Sequence, residues 1–558
     1  MDKFYFFDSS FIFSKKRTKL KLASPKKETT DISWIDPMDT NRSMDIPDWE
    51  YRVSILYPFV YYDENGISVD GISSAKYKIW YEASAIPNCD TGRKWLDYII
   101  DKDNSREVVL GDFKNSAKGI ISKVHPDFTF ALCYMESNDG INWHRPECGE
   151  FYYKKEDGSI IGTNIVFIGE HGEGVVKNTH PLAGKGEPRF LFACANDGVA
   201  ISCSDDGIHW QIPIRVYGEF ESRLQVRGDS QNHIYWSEEA SRYVIITRGI
   251  EFDTCEPLRT VLTIPGPKRL CKNPEDETDL SGAVNGFIYP FSALGGPLDS
   301  QPYSMPTYRL SGGYYIGLVS LFNCDYKSDN PFRVYAALTW SKDLINWSYL
   351  CDRKPFIDNC PVLKLEKGND FGMIYCASPI KVDKKLRIYY AAVPEAHYWM
   401  YSHIPTDWKA VIDEKYPKAK EKKAITRTTS LNFATVEIDR FCGLYSEDGE
   451  ITLKPIISPD GKFSLTADLS ETGKITARLL DEEDRVISGF DFDDFNELSE
   501  DITEKELSWA SDTSKISNRP VKIQLLIKNA TIYSLKVNDK SKSSDEDNLP
   551  PILTNTNK

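Results

Sequence analysis

Apolar and polar positions along this chain change over at short intervals. Runs of Tyr, Val, Ile and Phe, five to eight residues long, alternate with clusters of Gly, Asp, Asn and Pro. That texture predicts strands separated by tight turns. The 3.6-residue spacing of an amphipathic helix is almost absent. The one helix predicted, at 408–424, is a Lys- and Glu-rich segment that reads equally as a charged insertion.

Three runs end in one signature: Ser137-Asn138-Asp139-Gly140-Ile141-Asn142-Trp143, Ser204-Asp205-Asp206-Gly207-Ile208-His209-Trp210 and Ser341-Lys342-Asp343-Leu344-Ile345-Asn346-Trp347. Ser and Asp bond the turn backbone, Gly permits a positive φ, and Trp fills the gap between neighbouring sheets. Asp139, Asp206 and Asp343 are therefore structural. Trp210 follows Trp143 by 67 residues, and Trp347 follows Trp210 by 137, close to twice that. A fixed period with one unmarked copy predicts a radial repeat.

The strands sort into five blades. They open at Val53-Ser54-Ile55-Leu56, Gly174-Val175-Val176, Asn232-His233-Ile234-Tyr235-Trp236, Ser304-Met305-Pro306-Thr307-Tyr308 and Gly372-Met373-Ile374-Tyr375, and the third lacks the signature. The N-terminal strand at 4–13 is expected to close the ring. After about Gly449 a two-residue alternation takes over, which predicts a small antiparallel sandwich. The prediction is all-β: a five-bladed β-propeller (1–448, with an insertion near 400–425), a β-sandwich (449–538) and a disordered polar tail (539–558).

The net charge of −15 excludes a surface that tracks phosphates, so neither nucleic acid nor an anionic membrane is an expected partner. No apolar run approaches the ~20 residues of a membrane helix. The basic cluster Lys15, Lys16, Arg17 and Lys19 follows the apolar N-terminal run, the reverse of a secretory signal. A cytoplasmic protein with reduced thiols is the default expectation. The 12 cysteines form no C-x-x-C pair, and His171, His180, His233 and His397 are scattered, so no metal or cofactor is predicted. Gly169-Glu170-His171-Gly172-Glu173-Gly174 is glycine-rich, but its acids would repel a phosphate.

Inner strands of a propeller begin at the axial mouth, so polar residues just before them should converge. They are Glu50; Glu170, His171 and Glu173; Asp229; Asp299 and Tyr303; and Asp370. General acid–base work on a bond needs two carboxyl groups of opposite protonation held within several ångströms of each other. Clustered acids raise one another's pKa, which keeps one protonated. The expected roles are Glu50 as base or nucleophile, Asp229 as general acid and Glu173 as a stabilising carboxylate. His171, Arg223, Asp299, Tyr303, Asp370, His397 and Trp49 are expected to bind substrate, with Arg248 and Arg259 balancing charge. Strand-start acids also cap turns, and core packing accounts equally for Trp80 and Trp236.

Several segments, in this order, carry a resemblance: Phe4-Tyr5-Phe6-Phe7-Asp8-Ser9-Ser10-Phe11-Ile12, Pro47-Asp48-Trp49-Glu50, Tyr77-Lys78-Ile79-Trp80-Tyr81, the three Trp signatures, Phe371-Gly372-Met373-Ile374-Tyr375 and Ala530-Thr531-Ile532-Tyr533-Ser534-Leu535. Together they resemble the glycoside hydrolases related to families 32 and 43. The resemblance implies a five-bladed propeller followed by a sandwich, with carbohydrate as the partner. The chain departs from that pattern in lacking the Asn-Asp-Pro-Asn box and the Arg-Asp-Pro triplet. Cys255-Glu256 reverses the usual Glu-Cys order, so no acid role passes to Glu256, and Asn178 stands where relatives tend to show Asp. Two functions remain open at this point. One is cleavage of a terminal sugar, a furanoside among the candidates. The other is carbohydrate binding, or a structural role in a particle, without catalysis.

Overall fold

The computed structural model describes residues 2–31, 47–50, 53–66, 75–84, 99–101, 130–169, 171–195, 198–211, 213–218, 224–226, 228, 230–251, 258–271, 292–295, 300–325, 328, 331–364, 367–394, 396–397 and 429–537. The helix expected at 408–424 and the tail expected at 539–558 lie outside them. The fold is all-β, and among the described residues no helix is long and apolar enough to cross a membrane.

Antiparallel groups of strands follow one another along the chain, the fourth and fifth of them joined into one sheet by a parallel pairing of Val334 with Met373. The first runs Val53–Tyr62, Tyr77–Ser84, Phe130–Ser137 and Ile165–Gly169. The second runs Gly174–Lys177, Phe190–Ala195, Gly198–Ser204 and Ile214–Gly218. In the third, Leu224–Val226 and His233–Ser237 share the partner Arg242–Glu251, followed by Leu258–Pro265 and Ser292–Leu294. The fourth sets Ser300–Ser304 and Thr307–Arg309 against Tyr315–Asn323, then Val334–Ser341, which pairs with Ser348–Tyr349 and Pro355–Ile357. The fifth sets Met373–Cys376 and Ile380–Val382 against Lys385–Val393, then Ser430–Glu437 and finally Lys26–Thr29. A small sheet of Ile99–Asp101, Phe151–Lys154 and Ile160–Gly162 stands beside the first.

Apolar clusters fill the gap between each sheet and the next. Trp80, Leu132, Phe190 and Phe192 join first to second, and Val176, Ile201, Ile234 and Ile245 join second to third. Ile246, Val261, Met305 and Val319 join third to fourth, and Ile316, Leu338, Ile374 and Ile388 join fourth to fifth. Ile79, Cys133, Tyr389 and Phe433 join the fifth back to the first, which closes a β-propeller. The strands are buried on both faces, as in Tyr315–Asn323, so they read as near-continuous apolar runs.

Each Trp signature is a clasp onto the preceding sheet. Within the turns, Asp139 Oδ1 accepts from the amides of Ile141 and Asn142, both at 2.8 Å, and Asp206 and Asp343 repeat the pattern. Tyr389 Oη of the fifth sheet donates to Gly140 O at 2.9 Å, and Trp80 Nε1 of the first donates to Gly207 O at 2.6 Å. Ser237 Oγ of the third donates to Asp343 O at 3.1 Å. Gly140 and Gly207 hold φ of +73° and +82°, and a Cβ on either would stand 2.3 Å from the clasping Tyr389 or Trp80. The third turn puts Leu344 at φ +60°, at a cost of about 1–2 kcal/mol that burial of its side chain offsets. Where the signature is missing, Tyr243 closes the seam to the second sheet, bonded to Asn178 at 3.0 Å and Glu187 at 3.1 Å.

The N-terminal strand at 4–13 does not close the ring. Asp2–Tyr5 pairs with Pro520–Val537, and Ile12–Lys16 pairs with Gly449–Leu453, both in the sandwich. Phe6, Phe11 and Ile12 need a core, and they find it there beside Leu465, Ile475 and Leu525. Closure falls to Lys26–Thr29, whose Lys and Glu side chains suit an exposed outer edge. The sandwich is built on two strands of 18 residues, Phe463–Leu480 and Pro520–Val537, which pair antiparallel with bulges between Thr466/Ala467 and Leu469/Lys474.

Candidate functional site

Side chains from several sheets converge where the inner strands begin. Tyr57, Tyr303 and Tyr375 come from the first, fourth and fifth sheets, with ring centres 5.1 Å (Tyr57–Tyr375) and 5.9 Å (Tyr303–Tyr375) apart. His171 precedes the second sheet's inner strand. Its ring lies 5.1 Å from Tyr57, and Nε2 is 3.4 Å from the Tyr57 hydroxyl. His397 reaches Tyr303 in the same way, Nε2 to Oη at 3.3 Å. The Arg248 and Arg259 guanidinium groups of the third sheet stand 5.0 and 5.9 Å from the Tyr303 ring centre. Burial, then Tyr303, Tyr375 and Glu82, holds the Tyr57 hydroxyl's pKa well above its ordinary value, so it remains a donor.

Glu82, on the first sheet's second strand, organises the loop that carries His171 and Glu173. Its Oε1 accepts from the Gly172 amide and from the Glu173 amide at 2.7 Å, and Oε2 is 2.9 Å from His171 Nδ1. Asn232 of the third sheet holds the loop's other side. Its amide and its Nδ2 both donate to Gly172 O, at 3.1 and 3.0 Å. Gly172 sits at φ +97°, and a Cβ on Gly174 would lie 1.6 Å from Asn232 O. The glycines of this loop therefore serve close backbone approach, which sets His171 beside Tyr57. Gly174→Ala should cost roughly 1–3 kcal/mol, read from the midpoint of denaturant unfolding.

Tyr235 of the third sheet accepts from the Thr307 amide of the fourth at 3.1 Å and lies 3.4 Å from Ser378 Oγ beyond the fifth sheet's first strand. Gln231 Nε2 likewise donates to Pro58 O at 3.4 Å.

The structure thus gathers His171, Tyr303 and His397 from the expected set, while the Glu173 carboxylate is fully buried. Glu50, expected as base or nucleophile, sits elsewhere. Its carboxylate is fully buried on the seam side of the first sheet, in a two-pronged ion pair with Arg145 (2.9 and 2.8 Å), with Tyr81 Oη donating at 2.6 Å. Trp49, expected to bind substrate, donates from Nε1 to Asn164 Oδ1 and packs on Tyr153. Asp370 is also fully buried: it accepts from Lys27 and Tyr390 at 2.7 and 2.9 Å and fastens the closing strand. These three point into seams because each has its partner there. Asn178 follows the far end of Gly174–Lys177, so the Asp that relatives tend to show there would not reach this mouth. Arg223, Asp229 and Asp299 lie outside the described residues. Sequence reasoning missed Tyr57 and Glu82. Glu82 had a readable mark, a carboxylate inside the apolar strand Tyr77–Ser84.

A groove of about 400 Å³ lies apart from the mouth, between the fifth sheet and the sandwich, lined by Lys21, Lys26, Lys385, Arg440, Asp468 and Tyr533 among others. Its charges are mutually paired, Arg440 with Asp468 at 2.7 Å and Lys385 with Glu437 at 3.1 Å, and it reads as a seam between domains.

No protein-family model and no curated protein matches the chain. Solved structures do. The chain is similar to a glycoside hydrolase family 43 arabinoxylan arabinofuranohydrolase from Bacillus subtilis, with 10% identity over 88% of this chain and 97% of that one, at a TM-score of 0.33. It is similar to a family 32 β-fructofuranosidase from Bombyx mori, with 9% identity over 88% and 93%, at 0.33. It is also similar to a glycosyl hydrolase from Bacteroides ovatus, with 12% identity over 75% and 96%, at 0.36. The fold itself rests on this chain's own strand pairing.

Proposed function

We propose that the propeller mouth binds a terminal sugar and that the protein cleaves its glycosidic bond. The observation that carries the reading is the convergence of His171, Tyr57, Tyr303, Tyr375 and His397 from several sheets. Aromatic faces stack on the apolar C–H face of a sugar, while imidazole and guanidinium groups bond its hydroxyls.

In this reading Glu173 is the base or nucleophile, and Asp229 delivers the proton to the leaving oxygen. Asp229→Asn should remove turnover, with the thermal midpoint nearly unchanged. Retained turnover refutes the acid assignment.

Carbohydrate binding without catalysis is the second reading. It is favoured by the burial of Glu50 and Asp370 in ion pairs, which removes two carboxylates from the expected set. Aryl furanosides and pyranosides screened alongside a glycan array separate the two: binding with no turnover selects the second.

A further inference from the structure

Cys351 and Cys442 meet across the seam between ring and sandwich. Cys351 opens the short turn Cys351–Arg353 that follows the strand Ser348–Tyr349 of the fourth sheet. Cys442 opens the sandwich strand Cys442–Ser446. Their sulfurs are 3.7 Å apart, in contact. Cys442 is buried, whereas Cys351 is half-buried and within reach of a small reagent. The strand Lys19–Leu22 runs beside both: Leu22 pairs with Cys442, and the strand packs on the Cys351 turn. That turn holds Cys351, Asp352 and Arg353 at φ of 49°, 52° and 63°, a left-handed run of three non-glycine residues.

The two thiols differ in kind. Contact with the Cys442 thiol foremost, with Lys354 nearby, lowers the Cys351 pKa, and the same contact and burial raise that of Cys442. An exposed, more acidic thiol beside a buried, less acidic one is the arrangement of an attacking and a resolving cysteine.

We propose that Cys351 and Cys442 form a reversible disulfide that staples the propeller to the sandwich, with a low-molecular-weight disulfide such as oxidised glutathione as the oxidant. The Cys351 thiolate attacks one sulfur of the reagent and releases one thiolate, which takes up a proton. Cys442 then gives up its proton and attacks the Cys351 sulfur, releasing the second thiol. Two protein thiols and one reagent disulfide become one protein disulfide and two reagent thiols. The bond spans 91 residues of chain and encloses every fifth-sheet strand except the closing Lys26–Thr29. A cross-link over that span restricts the unfolded chain and stabilises the fold.

The test incubates the full chain with oxidised glutathione, alkylates the remaining thiols, and measures intact mass, a non-reducing peptide map and the thermal midpoint. The expected result is loss of two hydrogens, a linked pair of peptides carrying Cys351 and Cys442, and a midpoint raised by a few degrees that dithiothreitol reverses. Cys351→Ser, at the half-exposed position, should show neither link nor shift, and Cys442→Ala should leave a stable glutathione adduct on Cys351. Alkylated Cys351 and Cys442 in the treated wild type, or a shift that persists in Cys351→Ser, would overturn the proposal.

Discussion

Glu50→Ala should destabilise the protein by about 3–5 kcal/mol, because it strands the Arg145 guanidinium in a seam without its counter-charge. Arg145 is 16% exposed, so water can recover little of the loss. The Tyr81 hydroxyl and the Asn164 amide lose an acceptor at the same time. Denaturant unfolding measures the change, and turnover per folded molecule should be unaffected. The opposite pattern, a stable and inactive protein, is what a nucleophile at Glu50 would produce. This variant therefore separates a seam ion pair from a catalytic carboxylate in a single preparation.

Glu173→Gln should show that opposite pattern. Gln keeps the shape and the amide bond that Glu173 N makes to Glu82, so the loop stays in place. If Glu173 is the base or nucleophile, loss of its negative charge should cut turnover by about 10²–10⁴. If hydrolysis survives while Asp229→Asn abolishes it, the base or nucleophile lies elsewhere at the mouth. If glycan binding also persists unchanged, Glu173 is not part of the site.

Much of the architecture was legible in the sequence for a physical reason. The Trp signatures are self-contained: Ser, Asp and Gly satisfy their own turn, so a local pattern reports a local structure. Strands buried on both faces show as long apolar runs wherever they lie. His171 was readable because it lies just before an inner strand, whereas Tyr303 stands near the end of Ser300–Ser304 and reached the same place by a different route. Glu50 and Asp370 obeyed the same positional rule and still turned aside. Their partners, Arg145 and Lys27, are 95 and 343 residues away in the chain, and a lone sequence carries no trace of such pairings. Tyr57 was hidden by backbone irregularity. Register shifts and positive φ at Ile55 and Tyr57 re-aim that strand, where alternation predicts a regular one. Closure falls to Lys26–Thr29 and not to 4–13, because the outer edge of a sheet is a place for Lys and Glu, while Phe6, Phe11 and Ile12 find their core in the sandwich.

The most direct test of a carbohydrate site at the mouth is hydrogen exchange of the wild-type chain with and without the glycan that an array ranks first. Amides of 171–174, and those around Tyr303, Tyr375 and His397, should slow on binding, while the sandwich is unchanged. Protection confined to the sandwich or to the groove beside Arg440, or an array that retains no glycan, would contradict it.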